Sequence, residues 1–257
     1  MSYIINPYRF AADTANYTIA TGPDGAAGVI DGDYKYHSFT STKTGSNGFS
    51  VSQIGDSPNN TFEVLIVGGG GGSGTGGSAY HPGSGGAGGY YAIAAHSLSS
   101  GTDDYDVTVG DGGVANGNGS DSDFDWETAS GGGCGGGDSW YPAADGGSGG
   151  GGSWKEPAGG FALDPAYGND GADYGTGGQG AGGGGAGSAG GVGAATTPGD
   201  GVENDITGTL VEYAKGGGQF NGAGEDGKGE GGGALNTETP KSNPGGSGIV
   251  IIRYKFQ

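Results

Sequence analysis

Apolar residues gather into short runs separated by long stretches that lack them, and the runs have the composition of β-strands. Tyr34 to Phe39, Phe62 to Val67, Gly89 to Ala95, Tyr105 to Val109, Ser122 to Thr128, Ile206 to Ala214 and Ile249 to Phe256 are rich in Val, Ile, Tyr and Phe and bounded by Gly, Asp or Pro, which predicts a strand at each. Tyr105, Val107 and Val109 alternate with Asp106 and Thr108, the pattern of a half-buried strand. Val64-Leu65-Ile66-Val67 and Ile249-Val250-Ile251-Ile252 are continuous, the pattern of strands covered on both faces, and are expected to pair at the centre of the sheet. No stretch has helical period over a useful length. The expected fold class is all-β, a small antiparallel sandwich with little or no α-helix.

Glycine tracts lie between these strands, at 68–77, 83–89, 131–137, 146–152, 175–193 and 216–233, and glycine supplies 70 of the 257 residues, against a usual share of about 7%. Collagen requires glycine at every third position and abundant proline; residues 222–231 break that register, and only 10 prolines are present. A flexible linker joins two domains, whereas these tracts interleave with strands and aromatic loops. The remaining reading is a set of left-handed, three-residue-per-turn polyglycine II helices with no internal hydrogen bonds, packed side by side so that each supplies partners for its neighbours' N–H and C=O groups. At about 3.1 Å per residue, the tract 175–193 would run for about 60 Å as one helix.

Charge and cysteine narrow the partners. Nine Lys and Arg against 28 Asp and Glu give a net charge of -19, which repels a nucleic-acid backbone. The single cysteine, Cys134, stands among glycines and can build neither an internal disulfide nor a thiolate metal site. The first ten residues lack a basic and apolar leader pattern, and no later run approaches 18 apolar residues, so synthesis in a cytoplasm and no membrane insertion are expected.

The motifs that suggest chemistry mostly fail on context. Gly72 to Gly77 satisfies the dinucleotide fingerprint, but Tyr80-His81-Pro82 follows where a helix should open, and no acid stands about 20 residues on. Residues 222–228 resemble a phosphate loop, yet Gly229 occupies the Ser or Thr position. Asp121, Asp123 and Asp125 stand two apart, so on a strand they would share one face. That makes them the candidate site for calcium, the one cofactor suggested, beside the simpler reading of a solvated strand face. His37, His81 and His96 are scattered and no nucleophile elbow is present, so no enzymatic activity is expected.

Aromatic residues outside the strands carry more information. Tyr80, His81, Trp140, Tyr141, Trp154, Phe161, Tyr167 and Tyr174 fall in the loops that interrupt the glycine tracts. Aromatics on loops held by a rigid scaffold provide contact area at low entropic cost, as recognition surfaces do; alternatively they cap the ends of the glycine bundle.

Several stretches, taken in order, resemble the glycine-rich domain of phage tail-fibre and adhesin proteins. They are Val64 to Gly70, Tyr105 to Gly113, Asn118 to Phe124, Ala129 to Gly133 and the terminal Gly246-Ser247-Gly248-Ile249-Val250-Ile251-Ile252-Arg253-Tyr254. A weaker similarity, of fold alone, links the chain to the extracellular glycine-rich domain of anaplastic lymphoma kinase receptors. The phage resemblance implies a sandwich from which packed glycine helices project, with distal loops that bind a host-cell surface protein or glycan. The binding role would fall on the aromatic loops named above and on residues 194–205. It further implies a virion location and other virion structural proteins as partners. A capsid decoration or head-fibre protein and an ice-binding protein are the alternatives. Residues 1–30 lie outside the resemblance and form a candidate arm, with Tyr3, Ile4, Ile5, Tyr8 and Phe10 suited to docking on another virion protein or to an edge strand; residues 31–257 form the glycine-rich domain.

Overall fold

The computed structural model describes residues 16–76, 81–138, 140–175, 178–191, 197–235 and 242–257. Its strands are β1 (Ile19–Thr21), β2 (Val29–Asp31), β3 (Tyr34–Phe39), β4 (Phe49–Gln53), β5 (Phe62–Val67), β6 (Tyr90–His96), β7 (Asp104–Tyr105), β8 (Val107–Thr108), β9 (Ser122–Phe124), β10 (Glu127–Ala129), β11 (Val202–Asn204), β12 (Val211–Tyr213) and β13 (Ile249–Lys255). All pairings between these strands are antiparallel. A five-stranded sheet runs β2-β3-β13-β5-β6, and two three-stranded sheets, β1-β4-β7 and β10-β9-β8, pack against it. The helical content among the described residues is two 3-10 turns, at Pro23–Gly25 and Gly45–Asn47. No helix there is long and apolar enough to cross a membrane.

The two continuous apolar runs pair as expected, with Ile249 opposite Val67, Ile251 opposite Leu65 and Ile252 opposite Val64. Alternation then sends their side chains to opposite faces. Val64, Ile66, Val250, Ile252 and Tyr254 meet Phe49, Val107 and Phe124 inside the sandwich. Leu65, Val67, Ile249 and Ile251 meet Ala87, Ile206, Tyr213 and Ala214 on the other face. Because both faces are covered, a small set of large apolar residues supports two cores.

Several expected strands are shorter or divided. The run 105–109 breaks at Asp106, whose carboxylate accepts a bond from the Gly45 N–H (2.7 Å); β7 then pairs with β4, and β8 with β9. The run 122–128 is a hairpin, because Asp125 and Trp126 both take positive φ (46° and 76°) and turn the chain. Within 206–214 only β12 forms, paired with β11, whose polar Val-Glu-Asn sequence carries no strand signal. Of the candidate arm, residues 19–21 and 29–30 belong to β1 and β2 inside the sandwich; Tyr3, Ile4, Ile5, Tyr8 and Phe10 lie outside the described residues.

The glycine tracts form the second layer of the architecture. Successive N–H groups of residues 68–74 point to different neighbours, and every third one returns to the same neighbour. Gly68, Gly71 and Gly74 donate to the carbonyls of Gly89, Gly86 and Gly83 (3.0, 2.8 and 2.9 Å); Gly69 and Gly72 donate to Ser120 and Gly117; Gly70 and Ser73 donate to Gly246 and Asn243. The carbonyls of the same run accept from Gly132 and Gly135, from Gly113 and Asn116, and from Gly232. This threefold period is that of a polyglycine II helix, and a run with partners on all sides is the interior of a bundle. Residues 83–89 are held likewise, donating to 130–136, 181–184 and 229–232 and accepting from 68–74, 148–151 and 217. Glycine is required because the axes lie too close for a side chain: a Cβ on Gly70 would overlap the Glu230 carbonyl. Where serine intrudes its hydroxyl replaces a backbone acceptor, as Ser73 Oγ does for the Asn243 N–H (2.9 Å) and Ser84 Oγ for the Ala234 N–H (3.1 Å).

The 60 Å helix expected for 175–193 does not form. Residues 181–187 run beside 83–89, the chain reverses where the Gly185 N–H meets the Ser188 carbonyl (2.9 Å), and the Gly191 N–H bonds the Thr197 carbonyl (2.9 Å). The tract 216–233 likewise turns near residues 218–222, with Gly222 at φ 83°, and once more through Gly227 and Gly229.

Sandwich and bundle are joined at the end of β5. There the buried Ser122 hydroxyl donates to the Val67 carbonyl (2.7 Å) and accepts from the Gly110 N–H (2.9 Å). Ser122→Ala leaves both backbone groups buried without a partner and is expected to cost about 1–3 kcal/mol, measurable as a lower urea midpoint with unchanged slope.

Candidate functional site

The runs alternate in direction, so their turns fall into an outer set, far from the sandwich, and an inner set beside it. Residues 68–76 leave β5 outward and 83–89 return to β6; 131–137 leave β10 outward, 141–147 return, 148–153 go out and 157–161 come back. Gly137 N–H to Tyr141 carbonyl (2.8 Å) closes the outer turn that carries Trp140 and Tyr141. Ser153 closes the next: its N–H donates to the Glu156 carbonyl (2.8 Å) and its hydroxyl to the Gly137 carbonyl (3.1 Å), so Trp154 sits on a turn tied to its neighbour. Lys155 Nζ lies 5.9 Å from the centroid of the Trp140 ring, a cation–π contact between the two turns. Asp138 N–H reaches the Thr75 carbonyl (2.9 Å), and Thr75 is bonded to Asn116 Oδ1 (2.8 Å), which brings the first outer turns into the same surface.

The surface exposes large apolar side chains on rigid supports. Val114, Trp140, Tyr141, Trp154 and Phe220 are all more than half exposed, Trp140 at 71% and Phe220 at 62%. Trp140 and Phe220 also hold positive φ, 61° and 66°. Glycine adopts that conformation freely, whereas a bulky residue there costs about 1–2 kcal/mol. Two outer turns thus carry an exposed ring at a conformational cost. Trp126, 89% exposed at φ 76°, repeats the arrangement on the β9–β10 hairpin beside the sandwich.

Of the residues expected to bind, the structure gathers Trp140, Tyr141, Trp154, His81 and Tyr174 at the outer end. The His81 and Tyr174 rings stack at 6.3 Å, and Tyr174 N–H bonds the Pro157 carbonyl (2.6 Å). Phe161 and Tyr167 are placed elsewhere. They lie on an inner turn, where Tyr167 packs on Tyr91 of β6 (4.5 Å) and its carbonyl accepts the Tyr90 N–H (2.9 Å). Tyr80 lies outside the described residues, and of 194–205 the described part runs inward into β11. Phe220 and Val114 were not expected. The sequence signal for Phe220 is Asn221-Gly222 directly after it, a turn pair inside a glycine tract.

Asp121, Asp123 and Asp125 do not share a strand face, because Asp125 is in the hairpin turn. Asp121 accepts from the Gly131 N–H (2.8 Å) and Asp123 from the Thr128 hydroxyl (2.5 Å). Asp125 accepts from the Ser99 N–H (3.0 Å) and hydroxyl and pairs with His96 Nε2 (2.8 Å). Among the described residues no three His, Cys, Asp or Glu side chains are grouped to hold a metal ion. Cys134 is buried within 131–137, and burial pushes its thiol pKa up, away from the reactive thiolate.

An antiparallel sandwich that sends out and recovers a lattice of threefold glycine helices, with aromatic side chains on the outer turns, defines a sandwich-anchored glycine-bundle fold. The chain belongs to the glycine-rich domain family, whose model matches residues 44–255. Neither a curated protein nor a solved structure matches it.

Proposed function

We propose that this chain is a non-enzymatic attachment protein of a phage virion, a tail-fibre or adhesin component, that binds a host bacterial surface protein or glycan through the outer turns. The observation that carries the attachment reading is the set of exposed rings held on outer turns, with Trp140 and Phe220 kept at positive φ where glycine would fold more easily. Strain retained at an exposed position is the usual mark of a functional site. The virion assignment rests on the sequence resemblance to tail-fibre domains. The bundle acts as a stiff spacer, and its backbone lattice leaves the outer turns free to vary in sequence without disturbing the fold.

The test is Trp140→Gly combined with Tyr141→Ala in the full chain. Glycine relieves the positive φ but adds freedom to the unfolded chain, two effects of about 1 kcal/mol that offset, so the melting temperature should stay within a few degrees. Binding of the labelled protein to host cells should fall at least about tenfold, the loss of one aromatic anchor at an interface. Undiminished binding by a folded double variant would remove these turns from the contact surface.

A further inference from the structure

The loop between β1 and β2 crosses over a buried histidine that has no partner for one of its nitrogens. His37, on β3, is 2% exposed. Its Nε2 lies 3.2 Å from the Tyr254 hydroxyl, which itself donates to the Ala20 carbonyl (3.2 Å), so Nε2 carries the proton and the hydroxyl accepts it. That leaves Nδ1 as a bare acceptor, and no hydrogen-bond partner reaches it. Its ring stacks on Tyr254 (5.8 Å) and meets the edge of Phe49 (5.6 Å). Gly22 and Gly28 close over the ring so tightly that a Cβ on either would overlap it.

We propose that residues 22–28 form an acid-released strap, held down on the neutral His37 ring and lifted when Nδ1 takes up a proton. Protonation places an N–H and a positive charge beneath Gly22, where only backbone covers the ring. The groups that face it offer no counter-charge: Lys35 on its own strand is cationic, β13 contributes the Tyr254 hydroxyl, and β4 contributes the Phe49 ring. Asp24, the one acid on the strap, is paired outward with Lys43 (2.6 Å). Burial, assisted by Lys35, lowers the His37 pKa from 6.5 to about 4. A lifted ring titrates at its ordinary value, so the open state binds the proton better and gains population as pH falls below 6.5, levelling near 4.

The strap has little independent stability to oppose this. Its internal bonds are a single 3-10 turn, Gly25 N–H to Gly22 carbonyl (3.0 Å) and Ala26 N–H to Pro23 carbonyl (3.1 Å), with Gly22 N–H to Ala26 carbonyl (2.8 Å), and one isolated turn does not persist in water. Lifting would extend the adjoining cleft of about 320 Å³, lined by Pro23, Ala27, Val29 and Tyr36, toward the Phe49 cluster.

The experiment is amide exchange read by NMR at pH 7 and pH 5, with protection corrected for intrinsic rates. From the two pKa values the opening equilibrium should rise about 20-fold over that interval, lowering protection of the Gly22, Gly25 and Ala26 amides by that factor, and at both pH values these amides should be less protected than those of Gly71 and Gly86, because the strap opens without the bundle. Unchanged strap protection in the wild-type protein overturns the proposal, and so does strap protection as high as that of Gly71 and Gly86, which would mean that the strap opens only in global unfolding. His37→Phe and His37→Gln, uncharged at both pH values, should each abolish the pH dependence of the strap; either variant, if folded, that still shows the 20-fold fall would equally refute it.

Discussion

Gly183→Val is expected to break the glycine bundle, lowering the melting temperature by about 10 °C or more or leaving the protein insoluble. Gly183 donates to the Gly217 carbonyl (3.0 Å) and accepts from the Gly199 N–H (2.9 Å), so its run is held from two sides. A Cβ there would overlap the Gly85 carbonyl. Gly85 cannot retreat alone, because its N–H is bonded to Gly232 (2.9 Å) and its carbonyl receives the Gly217 N–H (2.9 Å). Moving either run therefore stretches several lattice bonds at about 1 kcal/mol net each, on top of about 1–3 kcal/mol for overpacking. In a chain of this size each kcal/mol shifts the midpoint by about 2–4 °C. Gly101→Ala is the control: Gly101 has φ 75° but nothing near its missing Cβ, so it incurs only the backbone strain of about 1–2 kcal/mol. If the two variants melt together, close packing is not what demands glycine at 183.

The contrast explains which parts of the architecture are legible in the sequence. β5 and β13 are visible because four consecutive apolar residues in each can be satisfied only by burial on both faces, and the register confirms it. The bundle is visible as a class, since tracts of glycine interleaved with strands suit little else. Its reversals are not, because a glycine has no side chain to mark the face or direction of its run; the turn at Gly185–Ser188 is closed by a backbone bond and braced by Asn169, a residue from a different run. The same blindness affects the candidate surface. Trp140 and Phe161 look alike in sequence, each aromatic beside a glycine tract, and whether a turn is outer or inner depends on how many reversals precede it. β1, β2 and β11, three residues each, are too short for alternation to show.

Phe49→Ala is expected to destabilise the whole chain by about 3–5 kcal/mol, although Phe49 lies in the sandwich and touches no glycine run. Its ring is fully buried and meets His37, Phe62, Phe124 and Tyr254 at centroid distances of 5.6, 5.9, 6.0 and 6.1 Å. The runs bury almost no apolar side chains of their own, and their ends are fixed by strands: 68–76 begins at β5, and 243–248 ends at β13. Loss of the sandwich core should therefore release the bundle in the same step. Fluorescence dominated by the exposed tryptophans and the far-UV signal are expected to share one lowered urea midpoint; a sandwich that melts while the bundle persists would show that the lattice is self-sufficient. The cavity also changes the pH response. With Phe49 gone, the His37 ring is better solvated and its pKa moves back toward 6.5, so the variant loses less stability than the wild type as pH falls from 7 to 5. The stability gap between the two proteins should narrow over that range, and a gap that stays constant would separate His37 from the aromatic cluster that encloses it.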